Sequence, residues 1–287
     1  MQNIGTRRDA ARLVTSQCSL RLLPILSGVG RRLSLLPRSR DDAPGAIICR
    51  VTSLDRYLAG QHRQVWTELL GEGPEVRNDE SLAAEAHAIA HETMRRVRRN
   101  VERLRSGLPQ LGFIFANPEA VLTPPSANVI EEIIHVERVL GPLPLSARAF
   151  WTTVGSVDLS GTHRDWPHRL LDPLMVEFDA DYAIATYDDM VEQGALAAGE
   201  PFAMDFAPDD LHKADISGGP PYAIEVPNAR VDGLVVWEIH QTTFVNYLRT
   251  AMQFAGLGGL SPIKRHGHQV LPVPIEVLEL ASQLESF

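Results

Sequence analysis

The residues in this chain best suited to chemistry are its histidines and a dense series of aspartates. His87 and His91 stand four positions apart. That spacing puts both rings on one helix face, where a metal could bridge them. A zinc hydrolase of that pattern needs glutamate directly after the first histidine, and Ala88 is there instead. A solvated helix flank is the better reading. His163, Asp165 and His168 fall in one loop around Trp166-Pro167, and a metal there would need further ligands that spacing does not supply. His266 and His268 are a weaker pair near the end. No metal is assigned to any of these groups.

Asp209-Asp210-Leu211-His212-Lys213 mixes acid, imidazole and amine, the types used for acid–base work. With no companion nucleophile nearby, it reads as a loop held by local ion pairs or as a recognition loop. The carboxylates are more numerous. Asp172, Glu177, Asp179, Asp181, Asp188 and Asp189 lie within eighteen residues, and Asp205, Asp209, Asp210 and Asp215 follow. Asp179-Ala180-Asp181 alternates as a calcium loop does, but the glycine and terminal glutamate of that loop are missing. Two readings stay open: a solvated acidic face, or a docking surface for a cationic partner. Trp166, Tyr182, Tyr187 and Trp237 are interleaved with the acids and could anchor such a surface.

The established catalytic templates are not found. There is no phosphate loop, no glycine-rich dinucleotide fingerprint, no nucleophile elbow and no paired cysteine ligands. The expectation is a protein that binds rather than catalyses, with no cofactor.

Charge is distributed in three regimes. The net charge is −9. Residues 1–40 carry eight arginines against the single acid Asp9, residues 50–127 balance to zero, and residues 128–260 hold seven bases and twenty acids. So acidic a region repels nucleic acid and attracts cations. Cys18 and Cys49 are the only cysteines, so a disulfide framework is excluded and a reducing cytoplasm is expected. No run of eighteen uncharged apolar residues suggests a membrane span.

These side chains need elements to position them. Residues 1–48 fit a disordered basic arm or a start codon placed too early better than a transit peptide. From 51 to 122 the pattern is helical. Leu82, Ala86, Ile89, Thr93, Val97, Val101, Leu104 and Leu108 step by threes and fours along one stripe. Thr123-Pro124-Pro125-Ser126 then predicts a linker and domain boundary. Beyond it, Ile130, Ile133, Ile134 and Leu140 mark a helix, and Pro144 to Val154 a second one stopped by Gly155. Strands are expected at Val157-Leu159, Leu174-Phe178, Tyr182-Tyr187, Phe202-Phe206, Tyr222-Val226 and Leu234-Ile239. A helix from Thr243 to Ala255 closes a unit spanning 128–260, and residues 261–287 read as a peripheral tail. Helices, then strands, then a helix predict an α+β fold with a mainly antiparallel sheet.

Over about residues 128–256 the chain resembles the SUKH superfamily, which includes the fungal Smi/Knr cell-wall regulators and many bacterial immunity proteins. The resemblance rests on the helix Ile130 to Leu140 with Leu143-Pro144-Leu145-Ser146, and on Phe150-Trp151-Thr152-Thr153-Val154-Gly155. It extends through Phe206 to Lys213, Ser217-Gly218-Gly219-Pro220-Pro221-Tyr222 and Thr243-Phe244-Val245. It implies a bent sheet flanked by helices, structural roles for Pro144, Trp151, Gly155, Gly218, Gly219 and Tyr222, and no enzymatic activity. It also implies a protein ligand, in many members a nuclease toxin. The expected contact residues are Asp179, Asp181, Asp188, Asp189, Asp209, Asp210, His212, Lys213 and Trp166. The alternative reading is a regulatory or scaffold protein of the Smi/Knr type with no toxin partner. The helical segment 51–122 is not part of the family pattern.

Overall fold

The computed structural model describes residues 51–168, 171–197, 199–262 and 272–287. The expectation for residues 1–48 lies outside them, as does the His266/His268 pair. Among the described residues, no helix is long and apolar enough to cross a membrane.

The chain opens with α1 (Ser53–Leu58), α2 (His62–Gly71) and the long helix α3 (Glu80–Gln110). The Asp79 carboxylate accepts the Leu82 N–H at 2.9 Å and starts α3. The stripe read from its periodicity is buried from Ala86 to Leu108. Each fully buried aliphatic side chain on it contributes about 1.5–3 kcal/mol, so α3 is held by packing more than by propensity.

Two short strands follow, β1 (Ile114–Phe115) and β2 (Leu122–Thr123), then α4 (Val129–Leu140), α5 (Leu145–Thr153), β3 (Ser156–Asp158), β4 (Gly161–Thr162) and β5 (Met175–Val176). The remainder is α6 (Ala180–Glu192), β6 (Phe202–Ala207), β7 (Tyr222–Val226), β8 (Val235–Val236), α7 (Phe244–Gln253) and α8 (Ile275–Ser282). The strands form three small antiparallel sheets, β1-β4, β2-β3-β5 and β6-β7-β8. The fold is α+β.

Several expectations are corrected. The Tyr182-Tyr187 run is helical, not extended. Asp179 caps α6 by accepting the Tyr182 N–H at 2.9 Å, and the apolar residues there pack at helical spacing. In α4 the buried positions are Val129, Ile133, Val136 and Leu140, while Ile130 and Ile134 face solvent. The proline-rich linker does not separate two packed units. β1 and β2 pair with β4 and β3 across it, α3 packs on α5, and the described residues from 51 onward form one compact unit around one apolar core. Gly155 makes that crossing possible. Its φ is 93°, and a Cβ there would run into the Thr123 carbonyl oxygen and Pro124.

The tail is not peripheral where it is described. Asn100 donates to the Glu285 carbonyl at 2.8 Å and accepts from the Glu285 N–H at 2.7 Å. Buried Asn100 thus uses its amide as a strand would use its backbone, and Phe287 is buried beyond it.

Candidate functional site

The acids expected to form a surface fall into two groups. Asp181, Asp188 and Asp189 are exposed on α6, which carries no lysine or arginine. The exposed apolar side chains Tyr182 and Val191 stand among them. The other group is the loop after β6, and there two of the four expected contact residues, Asp209 and Lys213, turn inward.

Asp209 is buried. One of its oxygens accepts the His212 N–H at 2.8 Å and meets His212 Nδ1 at 2.6 Å, and the other accepts the Gly219 N–H. The carboxylate therefore ties both ends of the loop together. A Cβ on Gly218 would collide with it, which explains the glycine. Lys213 points into the core, where Nζ lies 2.9 Å from Asp172 Oδ1, 3.5 Å from the Tyr247 hydroxyl and 4.5 Å from the Tyr222 ring centre. The Asp172 charge and the aromatic oxygen outweigh desolvation and raise the ammonium above its ordinary value. Asp209 and Lys213 are accordingly loop anchors and not contact residues. Trp166 is buried too, stacked on His163 with centroids 3.9 Å apart. Asp210 is half-buried and His212 exposed.

The other structural residues hold the elements. Pro144 sits at the α5 N-cap, Trp151 stacks on Phe178 with centroids 4.6 Å apart, and the Tyr222 hydroxyl donates to Asp172.

What the fold does bring together is Asp179 from the first group and His212 from the second. They line one groove of about 380 Å³ with Glu177, Tyr182 and Asp205, over a floor of Phe206, Pro208 and Pro221. The Glu177 N–H donates to the Phe206 carbonyl at 2.8 Å, fixing the end of β5 against β6. Strand alternation sends Phe202, Met204 and Phe206 inward, leaving Asp205 half-exposed. Desolvation raises the Glu177 carboxyl, helped by the charges of Asp158 and Asp179. Desolvation also raises Asp205, against a hydrogen bond from Tyr182. Three crowded acids beside an exposed aromatic ring suit a cationic side chain, which would relieve their repulsion and stack on Tyr182. Glu177 and Asp205 belong to the acidic series and Tyr182 to its possible anchors, but none of the three was among the expected contact residues. Only their pairing across β5, α6 and β6 reveals them.

Sequence reading also missed a hydrogen-bonded chain of glutamate, histidine and serine. Glu238 accepts the His240 N–H at 2.7 Å and pairs with Nδ1, and His240 Nε2 lies 2.5 Å from Ser261 Oγ. The flanking Trp237 and Gln241 have φ of 63° and 48°. The connectivity is that of a nucleophile relay, but stabilising an oxyanion needs free donors. The N–H groups of Gly259, Leu260 and Ser261 are already bonded, and the next residue, Pro262, has none. The chain pins the β8–α7 turn to the segment after α7.

His91 Nδ1 meets Thr153 Oγ1 at 2.9 Å, and desolvation lowers both His87 and His91, keeping them neutral. Among the described residues, no group of three or more His, Cys, Asp or Glu is placed to hold a metal ion.

No family model matches this chain, and neither a curated protein nor a solved structure does.

Proposed function

We propose that this chain is a non-enzymatic protein-binding module of the immunity type, which neutralises a basic toxin domain in the cytoplasm by docking the acidic face of α6 and the adjoining groove on it. The groove carries the reading. Glu177, Asp179 and Asp205 meet around Tyr182, and Asp181, Asp188 and Asp189 extend the same charge along α6. A long acidic face would speed encounter with a cationic partner, and the aromatic-floored groove would slow release. A nuclease cleft is one such partner, since carboxylates can occupy it as phosphates would. The resemblance to the SUKH superfamily over residues 128–256 points the same way.

The test is co-expression with toxin domains encoded beside the gene, followed by binding kinetics at increasing salt. The expected outcome is rescue of growth and an association rate that falls as salt screens the charges. Absence of both rescue and complex would reject the immunity reading. A complex whose association rate ignores salt would reject the acidic face as its basis.

A further inference from the structure

The groove beside α6 discriminates between the two strong cations that a protein partner can present to it. Glu177 enters it from the end of β5, Tyr182 from the first turn of α6 and Asp205 from β6. Phe206, Ala207, Pro208 and Pro221 make its floor apolar. Among the described residues that line it there is no lysine or arginine. The histidine that does line it, His212, has Nδ1 committed to Asp209 at 2.6 Å. The charge of the groove is therefore left for a partner to neutralise.

Lysine and arginine meet such a lining differently. The ammonium is a compact, strongly hydrated point charge, and an apolar floor cannot replace the water it sheds. The guanidinium is planar, more weakly hydrated, and carries five donors in one plane. Its edges can serve two carboxylates while its face stacks on a ring. The groove supplies both kinds of partner. Tyr182 is 54 % exposed, and its hydroxyl donates to Asp205, which steadies the ring beside that carboxylate. Glu177 and Asp205 come from different strands, so a forked donor reaches both where a point charge favours one. Desolvation already raises both carboxyls, so part of their hydration is gone before a cation arrives.

We propose that the groove is an arginine pocket. It takes one arginine side chain of the partner in preference to lysine, its guanidinium stacked on Tyr182 and shared between Glu177 and Asp205, its methylene stem along Phe206 and Pro208. Tyr182 sets the preference. The proposal rests on the protein-binding reading and deepens it, but the preference is a property of the groove and is measurable without the partner.

The test is NMR titration of the full chain with N-acetyl-arginine amide, N-acetyl-lysine amide and N-acetyl-citrulline amide. Citrulline keeps the shape of arginine without its charge. The expected result is saturable shifts of the Tyr182 and Asp205 amide signals with the arginine probe and none with citrulline. The arginine probe should bind about fivefold or more tighter than the lysine probe. Tyr182→Leu should bring the two near parity, whereas Tyr182→Phe keeps the ring and with it the preference. The preference is a ratio within one sample, so a variant that merely loosens the fold does not imitate its loss. No saturation by the arginine probe, lysine binding as tightly, or an undiminished preference in Tyr182→Leu would each overturn the proposal. Arginine selectivity in a chain that neither rescues nor binds any toxin would reject the immunity reading alone. A toxin complex formed by a chain without that selectivity would reject the arginine pocket alone.

Discussion

Lys213 Nζ lies 2.9 Å from Asp172 Oδ1, and the two side chains are 0 % and 2 % exposed. Asp172 adopts φ of 39° to present that oxygen, and the Tyr222 hydroxyl holds its other oxygen. The pair fastens the loop after β6 to the core and thereby fixes His212 at the groove rim. Removing one member of such a pair strands the other charge in a dry site, at a cost of about 3–5 kcal/mol. Lys213→Met should therefore lower unfolding free energy by that order in urea denaturation, and Lys213→Met with Asp172→Asn by distinctly less. Equal losses in the single and double variants would mean that packing of the lysine stem, not its charge, holds the loop.

Trp166 and Asp188 illustrate how surface and core exchange roles relative to their sequence appearance. Trp166 packs between His163 and Phe113, so Trp166→Ala should cost about 3–5 kcal/mol of stability. The binding of the remaining folded molecules should be unchanged. Asp188→Lys with Asp189→Lys should do the reverse, leaving the melting temperature near wild type while slowing association with a basic partner. Stopped-flow association rates beside thermal melts separate the two; a Trp166 variant that stays stable but cannot bind would return that residue to the interface.

Elements set by local rules were legible in the sequence. The α3 stripe, the alternation of β6 and β7, and α7 follow from periodicity alone. Tyr182 to Tyr187 misled because a short apolar run fits either period, and the Asp179 cap was the better signal. In α4 the neighbours Val129 and Ile130 are chemically alike, so only packing decides which is buried. The groove was half legible. Its acids stand in the sequence, but the pairing of Glu177 with β6 and the inward turn of Lys213 are tertiary facts. A charged side chain reads as exposed until its buried partner is seen, and Asp172 lies forty-one residues before Lys213.

Asp232 gives a pH signature. It is buried and accepts from Ser146 at 2.6 Å and from the Val245 N–H at the start of α7 at 3.2 Å. Desolvation outweighs these bonds and raises the carboxyl from 3.8 to about 6. Because the folded form holds the proton more tightly, its contribution is greatest below the unfolded value and is lost as pH rises through about 6. Two units correspond to about 3 kcal/mol. Asp232→Asn cannot ionise, so the stability difference between variant and wild type should move in the variant's favour by about that amount between about pH 4 and pH 7. Chemical denaturation across that range measures it, and a difference that stays flat would show that Asp232 is not the titrating group.

The groove acids titrate in the same direction but act on binding. Glu177 and Asp205 are both raised by desolvation, so they lose charge at a higher pH than ordinary surface carboxylates do. A protonated acid attracts no cation, so affinity for a basic partner should fall as pH drops, and the fall should begin above the ordinary carboxylate range. Glu177→Gln with Asp205→Asn should weaken binding at neutral pH and remove that early decline. Calorimetric titrations of wild type and the double variant over a pH series provide the comparison. Parallel pH profiles for the two proteins would place the cation elsewhere on the acidic face.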